Sequence, residues 1–299
     1  MPMMMMSFCP GNSKSGSLFF PLHTVLQAAT RQLKDAGIES PRLEAEILLA
    51  HCLKIERIKL YTRWNEELPE SQVRACQSLI FRRLRQEPVA YIIGYREFWS
   101  LDFLVTPEVL IPRPETEFVV ESALDHISGR ARVIDVGTGC GVIAVCLARE
   151  RPEVHVYAVD ISESALHVAR ANAIRHKVVD RITFIRTDLL SPFGPCAVDG
   201  IVSNPPYIPT PEISNLPIGV RDYEPRTALD GGTDGLKCSR SLMKEAKYIL
   251  KRHGWLIFEM GFGQKESLTA EIQGEGYQVQ EVVPDYAGLD RVMVARKIS

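Results

Sequence analysis

Two stretches of this chain carry residue types whose spacing suits chemistry. The first is Asn204-Pro205-Pro206-Tyr207. Its two prolines remove two backbone donors and fix two φ angles, and Asn204, preceding a proline, is pushed toward extended backbone. The corner is stiff and poor in donors, with carbonyls free to accept and with an amide and an aromatic ring at its ends. It suits a flat NH2 group held in plane, although the same four residues also make an ordinary proline-rich surface turn. The second stretch is Asp135-Val136-Gly137-Thr138-Gly139-Cys140-Gly141. Its G-x-G-x-G spacing differs from the dinucleotide fingerprint, which needs a small residue where this chain has Val142. A pyrophosphate favours a helix N-terminus with no acid beside it. A cationic amino-acid ligand wants a carboxylate near the tight turn, and Asp135 offers one.

Two more positions belong with these by spacing. Asp160 lies 19 residues after Gly141, at the end of an apolar run, where a carboxylate can accept both hydroxyls of a ribose. It also suits a helix cap ahead of Ser162. Asp188 and Leu189 end the next apolar run, at a place able to hold an adenine ring.

The elements that must position these groups follow from periodicity. From residue 132 onward strands and helices alternate. Strands are expected at Arg132 to Val136, Val154 to Val159, Ile182 to Ile185, Gly200 to Val202, Trp255 to Glu259, Tyr277 to Val283 and Arg291 to Ala295. Helices lie between them from about Gly141 to Glu150, after Ser162, from Leu236 to Leu250 and from Lys265 to Gln273. This rhythm predicts an α/β fold with a parallel, doubly wound sheet. In such a sheet the first and fourth strands flank the topological switch point. The glycine turn and Asn204-Pro205-Pro206-Tyr207 then face one another across a single crevice.

Ahead of this region residues 18–90 read as a small α-helical domain. Leu22, Val25, Leu26, Ala29 and Leu33 form one stripe, Ser40-Pro41 caps and opens the next helix, and Val73, Cys76, Ile80 and Leu84 form another stripe. Arg74, Arg82, Arg83 and Arg85 mark the outer face of that last helix, as a solvated surface or a docking surface. Residues 91–112 read as a β-hairpin linker, with a strand over Trp99 to Thr106, a turn at Thr106-Pro107-Glu108 and a second extended piece to Pro112. Residues 113–299 read as the α/β domain that carries the glycine turn and the Asn-Pro-Pro-Tyr corner. Glu115 and Glu117 either match the dipole of the helix they open or face the ligand. Met1 to Ser17 reads as a disordered tail.

Composition bounds the rest. The 299 residues carry a net charge of −2, which gives no overall basic field for nucleic acid. Seven scattered cysteines form no C-x-x-C pair, so neither a disulfide framework nor a metal site is expected, and reduced thiols point to the cytoplasm. No apolar run reaches the ~18–20 residues of a membrane helix.

Taken together, Asp-x-Gly-x-Gly-x-Gly, the acid at 160 and Asn-Pro-Pro-Tyr resemble class I S-adenosylmethionine methyltransferases of the amino-group type. Gly94-Tyr95-Arg96-Glu97-Phe98, Ile111 to Glu117, Tyr223-Glu224-Pro225-Arg226, Asp230-Gly231-Gly232, Asp234-Gly235-Leu236 and Asp290-Arg291 narrow the resemblance to the bacterial release-factor glutamine methyltransferases, over roughly residues 22–299. The resemblance implies a Rossmann-like sheet of seven strands, one of them antiparallel, behind a helical substrate-recognition domain. It implies S-adenosyl-L-methionine as cofactor, S-adenosyl-L-homocysteine as product, and methylation of the side-chain N5 of the glutamine in the Gly-Gly-Gln loop of peptide chain release factors. Carried onto this sequence, Asp135, Gly137, Thr138, Gly139, Cys140, Gly141, Asp160, Asp188, Leu189 and Asn204 contact the cofactor. Asn204, Pro205, Pro206 and Tyr207 hold the glutamine, with Asn204, Pro205 and Tyr207 catalytic. Leu189 departs from the aromatic that some members carry there. The protein substrate is the expected partner, with a monomeric enzyme and no nucleic acid or membrane. The alternatives are a ribosomal-protein glutamine, or adenine N6 or guanine N2 of a nucleic acid.

Overall fold

The computed structural model describes residues 18–298; the expected tail, Met1 to Ser17, lies outside the described residues. The chain divides into two compact units between Ile93 and Gly94.

The first unit is helical. A short strand β1 (Phe19–Pro21) leads into α1 (Leu22–Asp35), followed by α2 (Pro41–Leu53), α3 (Lys59–Thr62), β2 (Glu67–Pro69), α4 (Glu70–Leu84) and α5 (Val89–Ile93). Leu22, Leu26 and Leu33 of α1 pack with Leu48 and Leu49 of α2 and with Val73, Cys76 and Ile80 of α4. Each fully buried leucine contributes about 1.5–3 kcal/mol, so the predicted stripes are what holds these helices together. Three details differ from expectation. Ser40 stands at the N-cap of α2, but its side chain makes no capping hydrogen bond. The antiparallel pair β1–β2 was hidden in runs too short to show a period. Arg83 points inward to Glu44 of α2 at 2.5 Å, and Arg82 and Arg74 pair with Glu87 and Glu70. The α4 face is therefore less a row of free cations than its sequence suggests.

The second unit opens with a hairpin, β3 (Tyr95–Phe98) and β4 (Leu101–Leu104), turning at Trp99 and Ser100. Both turn residues take positive φ, 54° and 56°, as a tight two-residue hairpin turn demands. The hairpin thus sits one strand earlier than its alternating pattern implied: Trp99 is in the turn, and Thr106 to Pro112 do not form the second strand. A 3-10 turn, Pro114–Thr116, then opens α6 (Glu117–His126).

The remaining elements are β5 (Arg132–Val136), α7 (Val142–Glu150), β6 (His155–Asp160), α8 (Glu163–Arg175), β7 (Ile182–Arg186), β8 (Val198–Ser203), α9 (Ile218–Arg221), α10 (Lys237–Ile249), β9 (Leu250–Glu259), α11 (Lys265–Gly274), β10 (Tyr277–Pro284) and β11 (Asp290–Lys297). They build a seven-stranded sheet in the order β10-β11-β9-β8-β5-β6-β7. Pairs β5–β6, β6–β7, β5–β8 and β8–β9 are parallel. Strand β11 runs against both of its neighbours. After β7 the chain crosses back to place β8 on the far side of β5, so the switch point lies between β5 and β8 as the sequence predicts. The central strands are apolar along their length because helices cover both faces; Val133, Ile134, Ile201, Val202, Leu256 and Ile257 are fully buried.

Candidate active site

At the carboxyl ends of β5 and β8 lies a cavity of about 650 Å³, within the ~300–1,000 Å³ usual for a small-molecule site. Val136 to Cys140, Val159 to Ser162, Thr187 to Leu189 and Ser203 to Pro206 line it, with Thr116 on one side. Of the residues singled out from sequence, Gly137, Thr138, Gly139, Cys140, Asp160, Asp188, Leu189, Asn204, Pro205 and Pro206 come together on its wall. Asp135, Gly141 and Tyr207 do not line it.

The glycine turn is fastened to the end of β6. The amides of Gly137 and Thr138 both donate to the Val159 carbonyl at 2.9 Å, and that of Gly139 donates to Asp160 Oδ2 at 3.0 Å. Gly137 and Gly139 take φ of +69° and +56°. A Cβ built on Gly137 meets nothing within 4 Å, so the missing side chains keep space open for a ligand to approach the backbone. Asp160 also accepts from the Ser162 amide at 2.9 Å. The carboxylate thus takes the Gly139 and Ser162 amides, with the Ile161 amide also against it, and of its ~four lone-pair directions not all are used. Burial raises its pKa. Ser162 caps α8 as expected, accepting from the Ala165 amide at 3.2 Å. Leu189 sits on the wall in left-handed backbone, φ 49°, a conformation that costs a leucine about 1–2 kcal/mol.

Asp135 lies beneath the turn rather than beside the cavity. It is fully buried, and its Oδ2 accepts from Thr138 Oγ1 at 2.6 Å and from the Ala144 amide at 3.1 Å. It thus braces the turn against the start of α7. Its Oδ1 is buried with no protein partner. Burial pushes its pKa up to about 7, and the nearby Asp160 adds to the rise. The folded protein therefore retains a proton that an unfolded chain, with Asp near ~3.9, releases. The stability this contributes is complete at low pH and is lost as pH rises through about 7. Asn at this position stands in for the protonated acid. The melting temperature of the wild type relative to Asp135→Asn is therefore expected to fall between about pH 5 and about pH 8; a difference that rises across that window contradicts this assignment.

The Asn-Pro-Pro-Tyr corner is held by residues that the sequence reading passed over. Asn204 Nδ2 donates to Thr116 Oγ1 at 2.9 Å. Thr116 Oγ1 donates to Glu259 Oε2 at 2.7 Å. The Tyr207 hydroxyl donates to Glu259 Oε1 at 3.0 Å. Glu259, at the end of β9, is 1% exposed, and burial pushes its pKa up to about 7. Burial also raises the pKa of Tyr207, with the Glu259 charge adding to it. Gln264 Nε2 donates to the Tyr207 carbonyl at 2.9 Å, and Ser203 Oγ ties the end of β8 to the Val136 carbonyl at 2.8 Å. Glu117, a sequence candidate, instead accepts from the Trp99 amide of the hairpin turn at 2.8 Å, and neither it nor Glu115 lines the cavity. The sign that marked Glu259 was an acid closing an otherwise apolar strand, Trp255 to Phe258.

Among the described residues no helix is long and apolar enough to cross a membrane, and no group of three or more His, Cys, Asp or Glu could hold a metal. The described cysteines are free.

A seven-stranded, doubly wound sheet with β11 reversed and a cavity at its switch point defines a class I methyltransferase. A methyltransferase from Pyrococcus furiosus, 18% identical, has the same fold with a TM-score of 0.52, covering 75% of this chain and 98% of its own. Residues 24–94 match the PrmC N-terminal domain, and residues 115–215 match the Methyltransferase small domain. Release factor glutamine methyltransferase of Geobacter sulfurreducens is 42% identical over 275 residues, 92% of this chain and 96% of that relative. Its counterpart from Moorella thermoacetica is 43% identical over 277 residues, 92% and 98%. The chain belongs to the release factor glutamine methyltransferase family.

Proposed function

We propose that this chain methylates the side-chain amide N5 of the glutamine in the Gly-Gly-Gln loop of peptide chain release factors, using S-adenosyl-L-methionine and releasing S-adenosyl-L-homocysteine. The observation that carries this reading is the Asn204 amide, tied by its nitrogen to Thr116 at 2.9 Å on the wall of the cavity that the glycine turn enters. The cavity fits the cofactor in volume and in donor set. Gly137 to Gly141 would cradle it, with Asp135 bracing the turn from beneath. Asp160 would take the ribose hydroxyls, Asp188 and Leu189 the adenine, and Asn204 the end nearest the chemistry. When bound, S-adenosylmethionine supplies an electrophilic methyl group on a sulfonium.

The protein's task is to present an amide nitrogen, a poor nucleophile because its lone pair is delocalised. Asn204 Oδ1 and the Pro205 carbonyl accept the two N–H bonds of the target. Acceptors held in place before the reaction favour positive charge developing on that nitrogen. Pro205 and Pro206 keep competing backbone donors away. Tyr207, anchored through its hydroxyl, fixes the plane of the amide with its ring. Alignment of this kind supplies up to ~7–11 kcal/mol in the best intramolecular cases. No strong base is required, because the methylated amide is acidic enough to release its proton to water.

The helical unit, 18–90, recognises the release factor, a role supported by its match to the family's own N-terminal domain. The enzyme works as a monomer in the cytoplasm without nucleic acid. Labelled methyl transfer from S-adenosylmethionine tests the reading with release factor, ribosomal proteins and DNA offered in parallel. Label is expected in release factor; label confined to ribosomal protein or DNA contradicts it.

A further inference from the structure

We infer that Glu259 is a positioning residue that, acting through Thr116, decides which end of the Asn204 amide faces the reacting nitrogen. The inference rests on the methyl-transfer reading above and deepens it.

An asparagine side chain has two ends of nearly equal size and opposite chemistry, one accepting and one donating. Only the oxygen serves a substrate NH2; the other end would set donor against donor. Something must therefore choose between two orientations that differ by half a turn. Prolines cannot do this, because they fix the backbone of the corner and leave the amide free to turn. The hydrogen-bond chain can. A carboxylate only accepts, so Glu259 Oε2, at 2.7 Å, takes the single hydroxyl hydrogen of Thr116. With that hydrogen spent, Thr116 Oγ1 can offer Asn204 only a lone pair. It therefore binds the Asn204 nitrogen, at 2.9 Å, and Oδ1 is the end left for the cavity. The second oxygen of Glu259 is held by the Tyr207 hydroxyl at 3.0 Å, so one carboxylate fixes both ends of the corner. Thr116 and Glu259 are 2% and 1% exposed, so water does not compete for these bonds. Burying a charge is costly, and here its use is to give the chain of hydrogen bonds a direction.

The direction of the chain can be tested apart from its packing. Thr116→Val keeps the side-chain shape and deletes the hydroxyl; Thr116→Ser keeps the hydroxyl. Turnover on release factor at about pH 8.5, where the carboxyl is ionised, is expected to fall about 10–100-fold in Thr116→Val, in line with the ~10²-fold that a small misplacement can cost. KM for S-adenosylmethionine should stay within about threefold, and Thr116→Ser should keep turnover within about threefold of wild type. Glu259→Met removes the acceptor and leaves the Thr116 hydroxyl free to donate to Asn204, which turns the amide the wrong way. Its turnover should lie below that of Thr116→Val, and combining the two substitutions should raise it toward the Thr116→Val level without reaching it, because Tyr207 stays unanchored wherever the Glu259 carboxylate is gone. A role in packing alone makes the double variant worse than either single one. Thermal melts by circular dichroism report folding, and the Thr116 pair decides the matter if Glu259→Met does not fold. A folded Thr116→Val variant within about twofold of wild type, or a Thr116→Ser variant as impaired as Thr116→Val, overturns the inference. Failure of the wild type to methylate release factor would instead overturn the functional reading beneath it.

Discussion

Asn204→Ala is expected to lower turnover on release factor by about 10²–10³-fold, the range seen when one preorganised hydrogen-bonding group is removed from a reacting centre. On the proposed mechanism the alanine takes away one of the two acceptors offered to the target amide, leaving the Pro205 carbonyl. It should also cost about 1 kcal/mol of stability, because the Thr116 oxygen loses the donor 2.9 Å away. Affinity for S-adenosylmethionine should change by less than about tenfold, or 1.4 kcal/mol, since the glycine turn and Asp160 are untouched. Single-turnover kinetics and calorimetry separate these effects. Near-normal turnover in a folded Asn204→Ala protein would remove Asn204 from the mechanism.

Gly235→Ala is the second large effect, and it acts from outside the cavity. Gly235 takes φ +77°, and a Cβ there would overlap the Tyr207 carbonyl oxygen and stand 2.6 Å from Gln264 Nε2. Left-handed backbone alone costs about 1–2 kcal/mol. The overlap is with backbone, and with the amide that holds it, so the Asn-Pro-Pro-Tyr corner itself has to move. Gly231 presses on the same corner, with a Cβ there 2.8 Å from the Pro206 carbonyl. We expect Gly235→Ala to cost more than about 3 kcal/mol, seen as a melting temperature lower by about 6–12 °C, with turnover lost in the fraction that folds. Gly263 is the control. It has φ +80° but nothing within 4 Å of a built Cβ, so Gly263→Ala carries the backbone strain alone. Equal losses at 235 and 263 would show that contact with Tyr207 is not what makes Gly235 necessary.

Much of this molecule was legible in its sequence, and the parts that were not share a cause. The alternation from residue 132 onward produced the strands and helices because each is long enough to display its period. The switch point followed from their order, and it brought the glycine turn and Asn204 to one cavity. The hairpin was displaced because Trp99-Ser100-Leu101-Asp102-Phe103 alternates like a strand, yet Trp99 and Ser100 adopt the left-handed pair of a tight turn. Nothing in a tryptophan and a serine announces that. Asp135 stands close to the turn in sequence and so suggests a ligand contact; the strand's pleat instead carries it under the loop. Thr116 and Glu259 escaped because their meaning is pairwise across 143 residues. A threonine inside a helix-opening motif and an acid at a strand end look ordinary until the sheet brings them together. The same holds for Gly231 and Gly235, whose lack of side chains lets their backbones pack against each other, against the carbonyls of Pro206 and Tyr207 and against the Gln264 amide.

On the proposed mechanism the Asn204 corner presents one glutamine side chain of a release factor to the methyl group of S-adenosylmethionine. Mass spectrometry of the release-factor peptide bearing Gly-Gly-Gln, after incubation with this protein and S-adenosylmethionine, tests it most directly. A single added methyl group is expected on the glutamine side chain, absent when that glutamine is replaced by alanine and nearly absent with Asn204→Ala. A methyl group at any other residue, or one that persists after the glutamine is replaced, would contradict it.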